Sequence, residues 1–152
     1  MSDERKRLAW FHTCFGWWGL LVFVALGLLL ETMHGLKIDF YLNVDHETRR
    51  LVWRLAHAHG GLISLVHIGF AATIVAVPAA EIGKCMRLAS VCLVSSAILL
   101  PGGFFAGGLG LHGSDPGIGI FLVPPGGLLL FLSILFVAVG VSRRGPADTD
   151  ER

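Results

Sequence analysis

Four apolar runs constrain this chain more than any other feature. They cover residues 8–33, 51–77, 86–111 and 118–141. Each is long enough to cross a hydrocarbon core of about 30 Å, which takes roughly 20 helical residues. In lipid, backbone polar groups must pair inside the protein, so a spanning segment is a helix or a strand of a closed barrel. These runs lack the apolar–polar alternation of barrel strands. The expectation is an all-α protein: an integral membrane four-helix bundle, with residues 1–152 forming one membrane domain. Composition agrees, since 15% of the residues are charged against roughly 25% in a soluble domain. Lys and Arg number 12 and Asp and Glu 11, with no basic tract. Lipid is therefore an expected partner and nucleic acid is not. Cys14, Cys85 and Cys92 lie in apolar surroundings without a CxxC spacing, which reads as buried free thiols. The start "MSDERKRLAWF" is charged and then apolar, as in a signal peptide. No small-residue cleavage site follows the run, so a retained first helix is expected.

The basic residues orient the helices. Arg5, Lys6, Arg7, Lys84, Arg87, Arg143, Arg144 and Arg152 fall on one side. Lys37, Arg49, Arg50 and Arg54 fall on the other. The positive-inside rule puts both termini in the cytoplasm. The loop at 34–50 and the turn "LHGSDPG" at 111–117 then face outward.

Inside the second run lies "RLAHAHGG", residues 54–61. His57 and His59 sit about six and eight residues below the outer end, or ~9–12 Å at 1.5 Å per residue. The third run carries Pro101, Gly102 and Gly103, and the fourth carries Pro124, Pro125, Gly126 and Gly127, at similar depth. With Gly60 and Gly61, three helices thin out at one level. Glycine there allows close helix packing or leaves room for a flat group, and proline bends a membrane helix. A polar side chain inside the membrane is costly and usually faces a partner or a cavity. At ~100° per residue, positions i and i+2 point about 200° apart. His57 and His59 therefore face different neighbours and cannot share one metal ion without distortion. The alternative is two histidines each hydrogen-bonded to backbone carbonyls.

Arg54 lies one turn outward from His57, where it suits a carboxylate or simply snorkels to the interface. Trp53 fits an aromatic belt. His67, ten residues beyond His57, reads as a second site, a proton-relay group or, preferred, a satisfied core histidine. His12 reads as interfacial, near the cytoplasmic end of the first helix. A competing cluster lies on the outer side. "ETMH" sets Glu31 and His34 three residues apart, with Asp39, Asp45, His46, Glu47, His112 and Asp115 on the same side. It is a candidate for zinc or copper, although carboxylate metal sites need a second Glu-x-x-His, which this chain lacks.

The stretch "AHAHGGLISLVHIGF" is similar to the H-x-H helix of subunit I of haem–copper oxidases and nitric oxide reductases. It resembles even more the short bacterial four-helix proteins described as oxidase-subunit-I-like, whose "HAH" helix is entered from a loop like "IDFYLN". The match covers residues 38–69. In that family H-x-H supplies axial ligands to two haems on opposite sides of one helix. Its twelve helices form three arcs of four, with the haem and copper histidines on the second helix of each arc. The resemblance implies that this chain is one such arc and that a homotrimer stands in for the twelve helices. His57 of one protomer and His59 of a neighbour would ligate one b-type haem, giving three per trimer. The family's copper site needs further histidines and, in many members, a cross-linkable tyrosine. The only tyrosine here is Tyr41, and no His-His pair is present.

The leading expectation is thus a haem b protein of the bacterial inner membrane that transfers electrons or senses a redox state or a gas. A bis-histidine haem is coordinatively saturated, which favours electron transfer over oxygen reduction. His57 and His59 would hold the iron, Arg54 would meet a propionate, and Gly60, Gly61, Gly102, Gly103, Gly126 and Gly127 would make room. An electron-transfer partner would be required. Two alternatives stand beside it: a non-enzymatic accessory subunit, or a metal-binding protein using Glu31, His34 and His112.

Overall fold

The computed structural model describes residues 1–42, 47–77, 83–111 and 115–143. Helix α1 spans Asp3–Gly35, a short α2 spans Asp39–Leu42, α3 spans Glu47–Ala76 and α4 spans Lys84–Leu109. A 3₁₀ segment, Ile118–Leu122, leads into α5, Val123–Ser142. There is no β-strand among the described residues. Four spans are long and apolar enough to cross a membrane: α1, α3, α4 and the stretch Ile118–Ser142. The all-α, multi-pass reading therefore holds.

Two of the long helices run well past their apolar runs. Helix α1 begins at Asp3, where the Ser2 hydroxyl accepts a hydrogen bond from the Arg5 N–H and Asp3 and Glu4 meet the positive helix end. Charged residues form helix readily outside lipid, so hydropathy marks the membrane-embedded part and not the helix. Pro124 and Pro125 do not interrupt a continuous α-helix. They occupy the first turn of α5, where a missing N–H costs nothing, and the chain before them is 3₁₀. Pro101 does lie inside α4, removing one donor from its ladder.

Neighbouring helices run antiparallel. Arg5 on α1 donates to the Ile74 and Val77 carbonyls (2.6 Å to Val77) at the end of α3. Glu4 pairs with Arg87, 3.1 Å away, at the start of α4. These contacts gather the α1 start, the α3 end and the α4 start at one end, here termed the base. Gly140 of α5 faces Met86 of α4, so the far end of α5 lies there too. At the opposite end, the top, Arg49 of α3 donates to the Gly108 carbonyl (3.0 Å) and the Phe40 carbonyl (2.9 Å).

The packing order is α1–α3–α4–α5, and α1 and α5 share no substantial interface. The expected bundle is thus an open row. Its centre carries the core: Ile63, Phe70 and Ile74 of α3 against Met86, Ala89, Leu93 and Leu100 of α4. A second cluster at the top joins Leu30, Tyr41, Val52 and Trp53. Only 11% of the apolar window of α1 and of the last span is buried, against 39% for α3 and 33% for α4. The two flanking helices offer most of their surface to lipid or to another chain.

Candidate functional site

His57 turns toward α1. Its Nδ1–H donates to the Phe23 carbonyl at 2.6 Å. Gly27 makes this approach possible, because a Cβ there would lie 2.4 Å from the imidazole Cε1. His59 turns the other way, toward α4. Its Nδ1–H donates to its own helix at the Leu55 carbonyl, 2.9 Å away, and its ring lies 5.1 Å from that of Phe104. The two imidazoles therefore face different neighbours, as a two-residue spacing on a helix requires.

The chemistry of each ring follows from its partner. A carbonyl only accepts, so Nδ1 carries the proton and Nε2 presents a lone pair. Neither Nε2 has a hydrogen-bond partner among the described residues, and both rings are half-buried. This is the arrangement in which an imidazole binds a metal: one nitrogen held by a carbonyl, the other open. Arg54 is exposed, one turn nearer the top.

The six glycines divide evenly. A Cβ on Gly60 would strike the Phe23 ring at 2.2 Å, one on Gly103 would meet the Gly119 carbonyl at 3.0 Å, and one on Gly126 would meet the Leu100 backbone nitrogen at 2.6 Å. Those three serve helix contact within the chain. Gly61, Gly102 and Gly127 meet nothing within 4 Å, and so border open space.

Three sequence expectations need correction. Trp53 is not a lipid-facing belt residue. It is buried between α3 and α4, donates to the Phe105 carbonyl at 3.0 Å and stacks on the Phe105 ring. His12 is not interfacial but fully enclosed, because α1 starts at Asp3 and places it more than two turns inside. His67 is fully buried but only partly satisfied. Its Nδ1 meets His12 Nδ1 at 2.7 Å, whereas its Nε2 has no partner among the described residues. His12 Nε2 continues to the Ser90 hydroxyl at 2.8 Å. This cluster joins α1, α3 and α4 in the base half. The sequence signal was His67 deep in the second run and His12 near the start of the first; their meeting could not be read without the true start of α1 and the helix order.

The outer cluster does not assemble among the described residues. Glu31 and His34 are both exposed at the top of α1, and no three His, Cys, Asp or Glu side chains are grouped to hold a metal. Asp45, His46 and His112 lie outside the described residues, as do Arg144 and Arg152. Cys14, Cys85 and Cys92 are free thiols, half-buried rather than enclosed. A groove of about 360 Å³ runs along α1, walled by Trp10, Phe11, Phe15, Trp18 and Phe23 and floored by Ser64.

No family model, characterised protein or solved structure matches this chain.

Proposed function

We propose that this chain is a b-type haem protein of the bacterial cytoplasmic membrane that passes electrons or reports a redox state. His57 and His59 are its axial ligands. The observation that carries this reading is the state of the two rings. Each ring belongs to a half-buried residue and has Nδ1 fixed by a carbonyl and Nε2 without a hydrogen-bond partner among the described residues. An iron-ligating imidazole needs a lone-pair nitrogen without a partner, and a carbonyl on the other nitrogen fixes its tautomer and orientation.

The fit of the macrocycle is specific about place. Within one chain Phe23 fills the space at Gly60, His57 presses on Gly27, and Phe104 lies against His59. A porphyrin does not fit between the helices of a single row. Room for it would come from the row's surface, where Gly61, Gly102 and Gly127 border open space, with a second copy of the chain supplying the other face. The open row, with its two free flanks, suits such an assembly, and a homotrimer closes it with one operation. When bound, the haem supplies a one-electron iron couple. The chain supplies two neutral imidazoles with fixed tautomers, and exposed Arg54 for a propionate carboxylate.

Purified protein from haem-replete cells should show a Soret band with sharp reduced α and β bands. His57→Ala and His59→Ala should each abolish the bis-histidine spectrum. Folded but colourless protein would sink the proposal, and loss from only one variant would sink the bridging arrangement.

One observation favours a second reading, that of a structural membrane subunit: the His57–Phe23 hydrogen bond ties α3 to α1. In that case His57→Gln would be mild and the protein would purify without metal.

A further inference from the structure

We propose that Ser90, His12 and His67 form a proton relay in the base half of the row, separate from the haem reading. Ser90 Oγ meets His12 Nε2 at 2.8 Å, and His12 Nδ1 meets His67 Nδ1 at 2.7 Å. The ring centroids lie 4.8 Å apart with planes 28° off parallel, so the imidazoles meet nearly end to end. An Nδ1···Nδ1 contact needs one proton, and either ring can own it.

The two neutral tautomers differ by a proton shift along the whole line. In the first, His12 Nδ1–H donates to His67 Nδ1, His12 Nε2 accepts from the Ser90 hydroxyl, and His67 carries its second hydrogen-bonding position, Nε2, protonated. In the second, His67 Nδ1–H donates to His12, His12 Nε2–H donates to Ser90 Oγ, and His67 Nε2 is bare. Passing from first to second, Ser90 gives its hydroxyl proton to His12 Nε2 and takes one from water on its far side. The shared proton crosses from His12 to His67, and His67 Nε2 releases its own proton to water. One proton enters and one leaves, and both rings are neutral before and after.

The surroundings favour transfer over a fixed bond. His67 Nε2 is fully buried and unpartnered among the described residues. The Leu93 carbonyl, which accepts from the Ser96 hydroxyl, lies beside the ring as a backbone acceptor but outside good hydrogen-bonding geometry for Nε2. A buried polar atom left without a partner is costly, and two well-packed apolar side chains would avoid that cost. A water molecule there completes both the hydrogen bonding and the relay. Phe15 stacks over His67 at 4.4 Å, and Phe11 and Phe70 meet His12 nearly perpendicular. These rings hold the imidazoles in line, and an aromatic face favours the positive charge that passes through them. Among the described residues no charged side chain is hydrogen-bonded to either ring. On the face of α1 that carries His12, Arg5 lies about two turns toward the base and is bonded to the Ile74 and Val77 carbonyls of α3, and the adjacent Glu4 is paired with Arg87 of α4. Cys14 and Cys92 lie two residues from His12 and Ser90, about 200° away around their helices.

The test uses the whole protein, ¹⁵N-labelled at histidine, in lipid bilayers. NMR should find both tautomers of the pair in exchange, and a shared Nδ1 proton that is replaced by deuterium from D₂O within minutes. A single tautomer, or a shared proton protected for days, overturns the relay. Ser90→Ala should slow deuterium entry about tenfold, equivalent to ~1.4 kcal/mol in the barrier, and Ser90→Thr should restore it. Deuterium entry at the wild-type rate in Ser90→Ala also overturns it.

Discussion

Gly27→Ala separates the ligand-positioning reading of His57 from simple helix packing. The new Cβ would fall 2.4 Å from His57 Cε1 and 2.8 Å from Nδ1. To reach an ordinary contact of 3.4 Å the ring must withdraw by about 1 Å. That takes the 2.6 Å bond to the Phe23 carbonyl beyond hydrogen-bonding length. The stability terms nearly cancel. The lost hydrogen bond costs about 1 kcal/mol, and Ala in place of helical Gly returns roughly the same. A circular-dichroism melt in detergent should therefore move little. Haem binding should move much more, because removing the partner that orients a metal-ligating histidine costs about 10–100-fold in affinity. Haem titration followed at the Soret band measures this, with Gly69→Ala as control, since a Cβ at Gly69 meets nothing within 4 Å. ¹⁵N NMR gives the same test without haem: His57 should change from one tautomer to a mixture. Wild-type haem affinity together with an unchanged His57 tautomer would refute the reasoning.

Other contacts give further expectations. Ser133→Ala removes a buried hydrogen bond of 2.9 Å from α5 to the Ala89 carbonyl of α4 and should lower stability by about 1 kcal/mol, read from denaturant titration of the micellar protein. Gly126→Ala sets a Cβ against the Leu100 backbone nitrogen and should cost about 1–3 kcal/mol by forcing α4 and α5 apart, whereas Gly102→Ala, which meets nothing, should be neutral or slightly stabilising. Arg5→Met leaves the Ile74 and Val77 carbonyls without their donor. Amide exchange in the last turn of α3 and at the start of α1 should quicken, with a stability loss of about 1–3 kcal/mol.

The four spans were legible because hydropathy over some twenty residues is a strong signal and lipid permits few solutions. The divergence of His57 and His59 was legible too, since helical geometry alone fixes the angle between i and i+2. What escaped the sequence was everything that depends on which helix meets which. His12 counted from the apolar run at residue 8 looks interfacial; counted from the true start at Asp3 it is interior. Trp53 has the composition of a belt residue, yet its indole finds the Phe105 carbonyl across the α3–α4 contact. Gly60, Gly61, Gly102, Gly103, Gly126 and Gly127 are alike as letters. Only the packing divides them into three that touch a neighbour and three that do not.

Helix α3 contributes to both imidazole sites, and their nitrogens are treated differently. At His57 and His59 the chain fixes one nitrogen and leaves the other without a partner among the described residues. At His12 it binds both nitrogens, and at His67 it binds one and encloses the other. The first pattern suits a ligand arriving from outside the chain, the second an exchange of protons within it. Eight residues separate His59 from His67, or about 12 Å along the axis. Ser64 lies between them, its hydroxyl donating to the Gly60 carbonyl. A charge change at the upper site would act on the lower pair across a low-dielectric interior, where charges at such distances still interact appreciably. If His57 and His59 hold an iron, its reduction would weight the two neutral tautomers of the His12–His67 pair differently, because they distribute their protons differently along the line toward it. The tautomer populations of that pair, measured in the oxidised and the reduced protein, would show whether the two sites are coupled or merely share a helix.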